Sequence, residues 1–133
     1  MQKSRSELKD LAYAFLAAGS QSDLSRLMAF FAEDAILEAS NGNTYTGIEA
    51  IAEFFRPFAA GEFGIVRYEA DDFFCEVESQ KVLISWHLHV DAGGEKTIRQ
   101  GIDILVFDNG LITRKIAHTK AEKPVLIRPG NAG

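Results

Sequence analysis

The sequence has a single cysteine and no run of basic residues. Cys75 stands alone among 133 residues, so an internal disulfide and a zinc site built from several thiolates are both excluded. The net charge is −5. Nucleic acids and anionic membrane surfaces are bound by clusters of Lys and Arg, so neither is an expected partner.

Long hydrophobic runs are also missing. The first residues, Met1 to Glu7, lead directly into an amphipathic pattern without the apolar core of a signal peptide, and no stretch is long enough to span a bilayer. The chain is 47% hydrophobic, which is enough to form a core. We therefore expect one cytoplasmic domain over residues 1–133.

A first helix is predicted from the capping-box pattern Ser4 to Glu7, because apolar residues follow it at helical spacing. Gly19 is suited to the conformation just beyond a helix end. Ser22 or Asp23 caps a shorter second helix. The apolar stripe of the first helix consists of Leu8, Leu11, Ala12, Phe15 and Leu16.

The segment after the second helix predicts a hairpin and a third helix. Ala35 to Ser40 forms a short strand, and Asn41-Gly42 is a typical hairpin turn. Thr46 to Glu49 repeats the capping-box pattern and opens the third helix. Pro57 falls close to the end of that helix.

From residue 63 onwards the apolar period changes from about 3.6 to 2, which predicts four long strands in a meander. The first of them is bent around Asp71-Asp72. This order predicts an α+β fold in which three N-terminal helices pack on a strongly curved, mainly antiparallel sheet, leaving a cone-shaped pocket between the layers. We expect the tail to dock or fray. The four strands and the tail are Phe63 to Val77, Lys81 to Asp91, Lys96 to Phe107, Leu111 to Lys120, and Pro124 to Gly133.

Three stretches resemble the nuclear transport factor 2-like superfamily: Phe30 to Glu38, Tyr45 to Phe55, and Gly101 to Ile112. The superfamily includes ketosteroid isomerases, SnoaL-like polyketide cyclases, epoxide hydrolases, dehydratases and non-catalytic binders. The resemblance therefore implies the fold, and the fold alone does not select a function.

Ketosteroid isomerases use an Asp base, with a Tyr and a protonated Asp that stabilise an oxyanion. The resemblance places Asp103 at the protonated Asp and Ala39 at the base. Glu38 is adjacent, but successive residues of a strand face opposite ways. The Tyr falls on Tyr13 or Phe15, depending on where a gap is placed, and the apolar stripe favours Phe15 facing inward. By this comparison the isomerase machinery is incomplete.

Asp103 is the clearest candidate site residue, because it interrupts an apolar strand and a buried carboxylate is costly unless it is paired or protonated. It either lines the pocket as an acid–base group together with Tyr13, or forms a structural pair with Lys115 or Arg99. Lys115 in turn either faces inward to hold a ligand or Asp103, or is solvated, as most lysines are.

Trp86 and several phenylalanines, including Phe15, Phe55 and Phe107, are expected in the core and in the pocket wall. His87, His89 and Asp91 share one strand face with metal-ligand spacing. The apolar Ile84, Trp86 and Leu88 occupy the other face, so we expect the histidines to point outward and predict neither a metal nor a cofactor. The remaining pocket phenylalanines are Phe31 and Phe54.

If Asp103 faces the helices, the isoleucines beside it face outward. An exposed apolar sheet face of that kind favours a homodimer, as the resemblance also implies. We expect the pocket to hold a small apolar molecule, which can be cyclic, with isomerase- or cyclase-type acid–base chemistry. The alternative is a non-catalytic ligand-binding or dimeric scaffold domain, since the base position is Ala39. The outward apolar residues are Ile98, Ile102, Ile104 and Val106.

Overall fold

The structure, a computed structural model, describes residues 2–121, so the predicted tail from Pro124 to Gly133 lies outside the described residues. Within residues 2–121 no helix has the length and apolarity needed to cross a bilayer. The elements in chain order are α1 (Arg5–Gly19), α2 (Leu24–Met28), β1 (Phe31–Glu38), β2 (Thr44–Thr46), α3 (Ile48–Ala59), β3 (Ile65–Glu76), β4 (Lys81–Ala92), β5 (Glu95–Asp108) and β6 (Leu111–Thr119).

The six strands form one sheet in the order β2-β1-β6-β5-β4-β3. Strands β3 to β6 pair with their sequence neighbours in antiparallel fashion, as a meander does, whereas β1 pairs with β6 in parallel. The helices pack against this open sheet. The predicted α+β architecture, with helices on a curved and mainly antiparallel sheet, is confirmed.

Two of the three predicted helix caps are confirmed. Ser4 Oγ accepts from the Glu7 amide at 3.2 Å, while the Glu7 carboxylate accepts from the Ser4 amide at 3.0 Å. Asp23 accepts from the Arg26 amide at 3.0 Å and caps α2. These bonds satisfy amides that have no partner within a helix.

The predicted capping box at Thr46 is wrong. Gly47 occupies the N-cap of α3 with φ of 91° and makes no side-chain cap. Thr46 belongs to β2, and the Gly47 amide donates to the Ala35 carbonyl at 2.8 Å. The glycine is needed because the chain enters α3 through a conformation that other residues rarely adopt.

The first strand begins at Phe31 rather than at Ala35. Phe31 pairs with Ile112 of β6, and the register shifts between Phe31 and Ile36. This part of β1 is stabilised by a partner far away in the sequence, so the local apolar pattern does not reveal it.

Alternation along β4 divides the sheet into an inner and an outer face, as predicted. Val82, Ile84 and Trp86 are buried against the helices. The predicted bend of β3 is also present, because the register of β3 with β4 shifts between Ala70 and Phe73. The inner face and α1 together enclose the core, and one part of the space between them is left open.

Candidate functional site

A cavity of about 590 Å³ lies between the helices and the inner face of the sheet. This volume suits a small organic ligand, since such pockets typically measure about 300–1,000 Å³. The walls are mostly apolar and aromatic, and the mouth carries Thr97, Arg99 and other polar residues. The aromatic lining residues are Phe15, Phe54, Phe55, Phe58, Phe63, Tyr68 and Trp86.

The deep end of the cavity contains an acid–base pair. Asp103 Oδ1 and Lys115 Nζ lie 3.6 Å apart, and the two residues are only 2% and 8% exposed. Asp103 faces inward because it alternates with Ile102 and Ile104 along β5. Burial raises the pKa of the Asp103 carboxyl, and this outweighs the opposing effects of Lys115, Trp86 and His118.

Lys115 is buried, so the alternative of a solvated lysine is wrong. Its ammonium lies 6.0 Å from the centre of the Phe15 ring and 5.6 Å from that of Phe55. Aromatic rings attract a cation at such distances. Arg99, the other proposed partner of Asp103, is exposed at the pocket and forms no ion pair with a described residue. The ammonium is therefore held between two rings and one carboxylate.

The indole of Trp86 lies over β5, because its partner on that strand is Gly101, which has no side chain. A Cβ atom at Gly101 would come within 2.4 Å of the indole ring and 2.6 Å of the His118 carbonyl oxygen. The indole N–H is close enough to lower the pKa of Asp103. Its geometry falls short of a hydrogen bond, however, since Trp86 Nε1 and Asp103 Oδ1 have no bonding partner among residues 2–121.

Tyr68, which the sequence did not single out, lines the pocket from β3. Its ring meets Trp86 edge-on, with ring centres 5.2 Å apart and planes at 90°. Its amide donates to Ser20 Oγ at 2.9 Å. Burial, and then the charge of Asp103, raise the pKa of the Tyr68 hydroxyl, so the phenol stays protonated at neutral pH.

Three predicted pocket residues, Tyr13, Phe107 and Phe31, do not line the cavity, and Phe31 is instead buried in the core. Tyr13 is 39% exposed and contacts Phe73 and Lys9, whereas Phe15 is buried and lines the pocket. Two residues correspond to about 200° around a helix, so both cannot face inward. Phe107 is buried in the core without lining the pocket. The structure therefore offers no support for Tyr13 as a catalytic residue.

The position of the isomerase base is occupied by Ala39, which lines the pocket. Glu38 is directed to the outer face, where its carboxylate accepts from Arg114 Nε at 2.8 Å. Asp103 is the only carboxylate among the described residues that line the cavity.

The two histidines of β4 lie on the outer face and pair with acidic residues of β3. His87 Nδ1 is 2.6 Å from Asp71, and His89 Nε2 is 3.1 Å from Glu69. Over residues 2–121, no group of three His, Cys, Asp or Glu side chains converges in a way that would hold a metal ion.

Comparison with known families places the chain more precisely. The sequence model of the SnoaL-like domain family matches residues 12–115. A comparison with curated protein sequences found no significant match. The matched range includes Phe15, Tyr68, Trp86, Asp103 and Lys115, so the whole deep end of the cavity lies within the family domain.

Several solved structures share the fold. An NTF2-like protein of unknown function from Mesorhizobium loti is 15% identical with a TM-score of 0.71, over 91% of this chain and 98% of that one. SalBIII, an epoxide hydrolase/cyclase-like enzyme with a role in pyran ring formation in salinomycin, is 13% identical with a TM-score of 0.75, over 86% and 92%. A de novo designed protein with a curved β-sheet is 21% identical with a TM-score of 0.70, over 90% of each chain. The resemblance to the nuclear transport factor 2-like superfamily is confirmed, and at these identities the likeness extends to the fold alone.

Proposed function

This chain belongs to the SnoaL-like domain family, and we propose that it binds a small, largely apolar ring compound and performs acid–base chemistry on it through Asp103. The observation that carries the proposal is a buried carboxyl with a raised pKa at the end of an aromatic cavity. Flat aromatic walls suit a ring-shaped ligand. Carboxyls whose pKa is raised toward neutrality are effective general acids and bases.

Asp103 has to supply both parts of a proton transfer, since Ala39 leaves the second carboxylate position empty. Lys115 assists, because its ammonium stabilises negative charge that develops beside Asp103. The chemistry that fits is proton transfer by Asp103. The carboxylate removes a proton from the carbon next to a ligand carbonyl and returns it to another atom of the ligand. This step is common to isomerase-type and cyclase-type reactions.

The test is proton exchange on a model ketone. In deuterated buffer, 1-tetralone should exchange its α-protons faster with the protein present, as followed by NMR. Asp103→Asn should reduce this acceleration roughly a hundredfold or more, in keeping with the usual contribution of a general base. Glu38→Gln is the matched control, because Glu38 lies on the outer face, and it should keep the wild-type rate.

The second candidate is a non-catalytic ligand-binding or dimeric scaffold protein, and Ala39 at the base position is the observation that favours it. Under this alternative 1-tetralone raises the melting temperature but exchanges at the buffer rate. Such a result would reject acid–base catalysis and leave ligand binding standing. No change in either measurement would reject both catalysis and ligand binding, and would leave the dimeric scaffold.

We also propose that two copies associate through the outer face of the sheet. Leu83, Ile104 and Ile116 are aligned across β4, β5 and β6, all partly exposed, and Ile98 is 61% exposed on the same side of β5. Contiguous apolar residues on an outer sheet face often mark an interaction surface, which favours association there.

A further inference from the structure

Tyr68 is fixed in place from two directions, although no described residue uses its hydroxyl. The edge-on contact with Trp86 holds the ring on one side. On the other side Gly19 lies so close that a Cβ there would be 3.3 Å from the ring. The bond from the Tyr68 amide to Ser20 Oγ fixes the backbone at the same point.

The hydroxyl group is the part of Tyr68 that this packing does not explain. Tyr68 is half-buried, and a tyrosine with its ring packed in this way usually has a hydrogen-bond partner for the O–H group. Within residues 2–121, the only hydrogen bond of Tyr68 that goes beyond the β3–β4 ladder is made by its amide. A phenylalanine would fill the same space, so packing alone does not account for the oxygen.

Tyr68 and Lys115 lie on opposite sides of Asp103 in the strand order, Lys115 one strand away and Tyr68 two strands away. Asp103 is on β5, Lys115 is on β6, and Tyr68 is on β3, with Trp86 of β4 between Tyr68 and Asp103. Lys115 Nζ likewise has no acceptor at ordinary hydrogen-bond distance, since Asp103 is 3.6 Å away. Trp86 Nε1 is without a partner too, so the donors near Asp103 outnumber the carboxylates, of which Asp103 is the only one among the described lining residues.

A ligand that carries an acceptor oxygen would correct this imbalance. We propose that Tyr68 is a ligand-binding residue of this pocket, donating a hydrogen bond from its hydroxyl to a carbonyl oxygen of the bound ring compound. The proposal rests on the proposed function, which supplies the ring compound, and adds the oxygen substituent and the residue that recognises it. Tyr68 thereby selects ketones over hydrocarbons of the same shape.

The experiment compares two ligands that differ only at the oxygen, 1-tetralone and its parent hydrocarbon tetralin. Equilibrium dialysis gives the dissociation constant of each for the wild-type protein, Tyr68→Phe and Tyr13→Phe. Tyr13→Phe is the matched control, because it removes the same hydroxyl from a tyrosine outside the pocket. Folding of each variant is checked by circular dichroism.

We expect Tyr68→Phe to weaken the binding of 1-tetralone about tenfold, which is the usual contribution of one buried hydrogen bond. The dissociation constant of tetralin should stay unchanged. Tyr13→Phe should change neither. Equal weakening of both ligands would show a packing role and overturn the proposal, as would unchanged binding of 1-tetralone. If the wild-type protein binds neither compound, the proposed function fails as well, so the two failures are distinguishable.

A second readout does not depend on how well the variants fold. The carbonyl stretching frequency of 1-tetralone should fall on binding to the wild-type protein, because a hydrogen bond weakens the C=O bond. A bound ketone with the frequency that it has in an apolar solvent would contradict the proposal.

Discussion

The carboxylate of Asp103 and the ammonium of Lys115 lie 3.6 Å apart, and both side chains are more than nine-tenths enclosed by protein. Removing one partner of such a pair leaves the other charge buried without compensation, which typically costs about 3–5 kcal/mol. The pair therefore contributes to the stability of the fold as well as to the chemistry of the cavity.

We expect Lys115→Met to lower the free energy of unfolding at pH 7 by about 3 kcal/mol, because Asp103 loses the cation that offsets its burial. The double variant Asp103→Asn/Lys115→Met should recover part of this loss, since no buried charge remains. Urea denaturation of the wild type, both single variants and the double variant measures the coupling. Strictly additive losses would show that the two side chains do not interact.

The pH dependence of stability follows from the raised pKa of Asp103. The folded state holds the Asp103 proton more tightly than the unfolded state does, so this residue favours folding below the unfolded pKa of 3.8. That contribution is lost as the pH rises through the higher pKa of the folded state. The difference in unfolding free energy between the wild type and Asp103→Asn should therefore shift against the wild type from pH 4 towards neutral pH. A pH-independent difference would contradict the raised pKa.

Gly101 determines where the indole of Trp86 lies. Since a Cβ would come within 2.4 Å of the ring, Gly101→Ala should displace the indole and cost about 1–3 kcal/mol, the usual range for an overpacked core. Trp86 is the only tryptophan in the chain, so its emission should shift to the red. Thr97→Ala, at an exposed position on the same strand, is the control and should leave both stability and emission nearly unchanged.

The sequence predicted those parts of the fold that depend on local patterns. The capping boxes, the amphipathic stripe of α1 and the alternation of β4 need only neighbouring residues, and two of the three caps were correct. The start of β1 was missed because Phe31 depends on a strand partner near the other end of the chain. The predicted cap at Thr46 was wrong because Thr46 belongs to β2 and pairs with Ile36 of β1.

The site shows the same division. Asp103 could be identified because a charge within an apolar strand is conspicuous. The sequence could not show whether the Lys115 side chain points inward or outward. In a regular strand, residues three apart lie on opposite faces, yet Ile112 and Lys115 both point inward. The register of β5 with β6 shifts at Thr113, and such a bulge reverses the alternation without a clear local signal. Tyr68 was missed because acidic and basic residues surround it on β3.

Association through the outer face of the sheet would double the mass of the protein in solution. Light scattering should give twice the chain mass for the wild type at micromolar concentration. Ile104→Glu should give a single chain mass, because the new charge would be buried in the middle of the row formed with Leu83 and Ile116. Ser25→Glu adds the same charge on the exposed side of α2 and should remain dimeric. A monomeric wild type, or a dimeric Ile104→Glu variant, would reject association through this face.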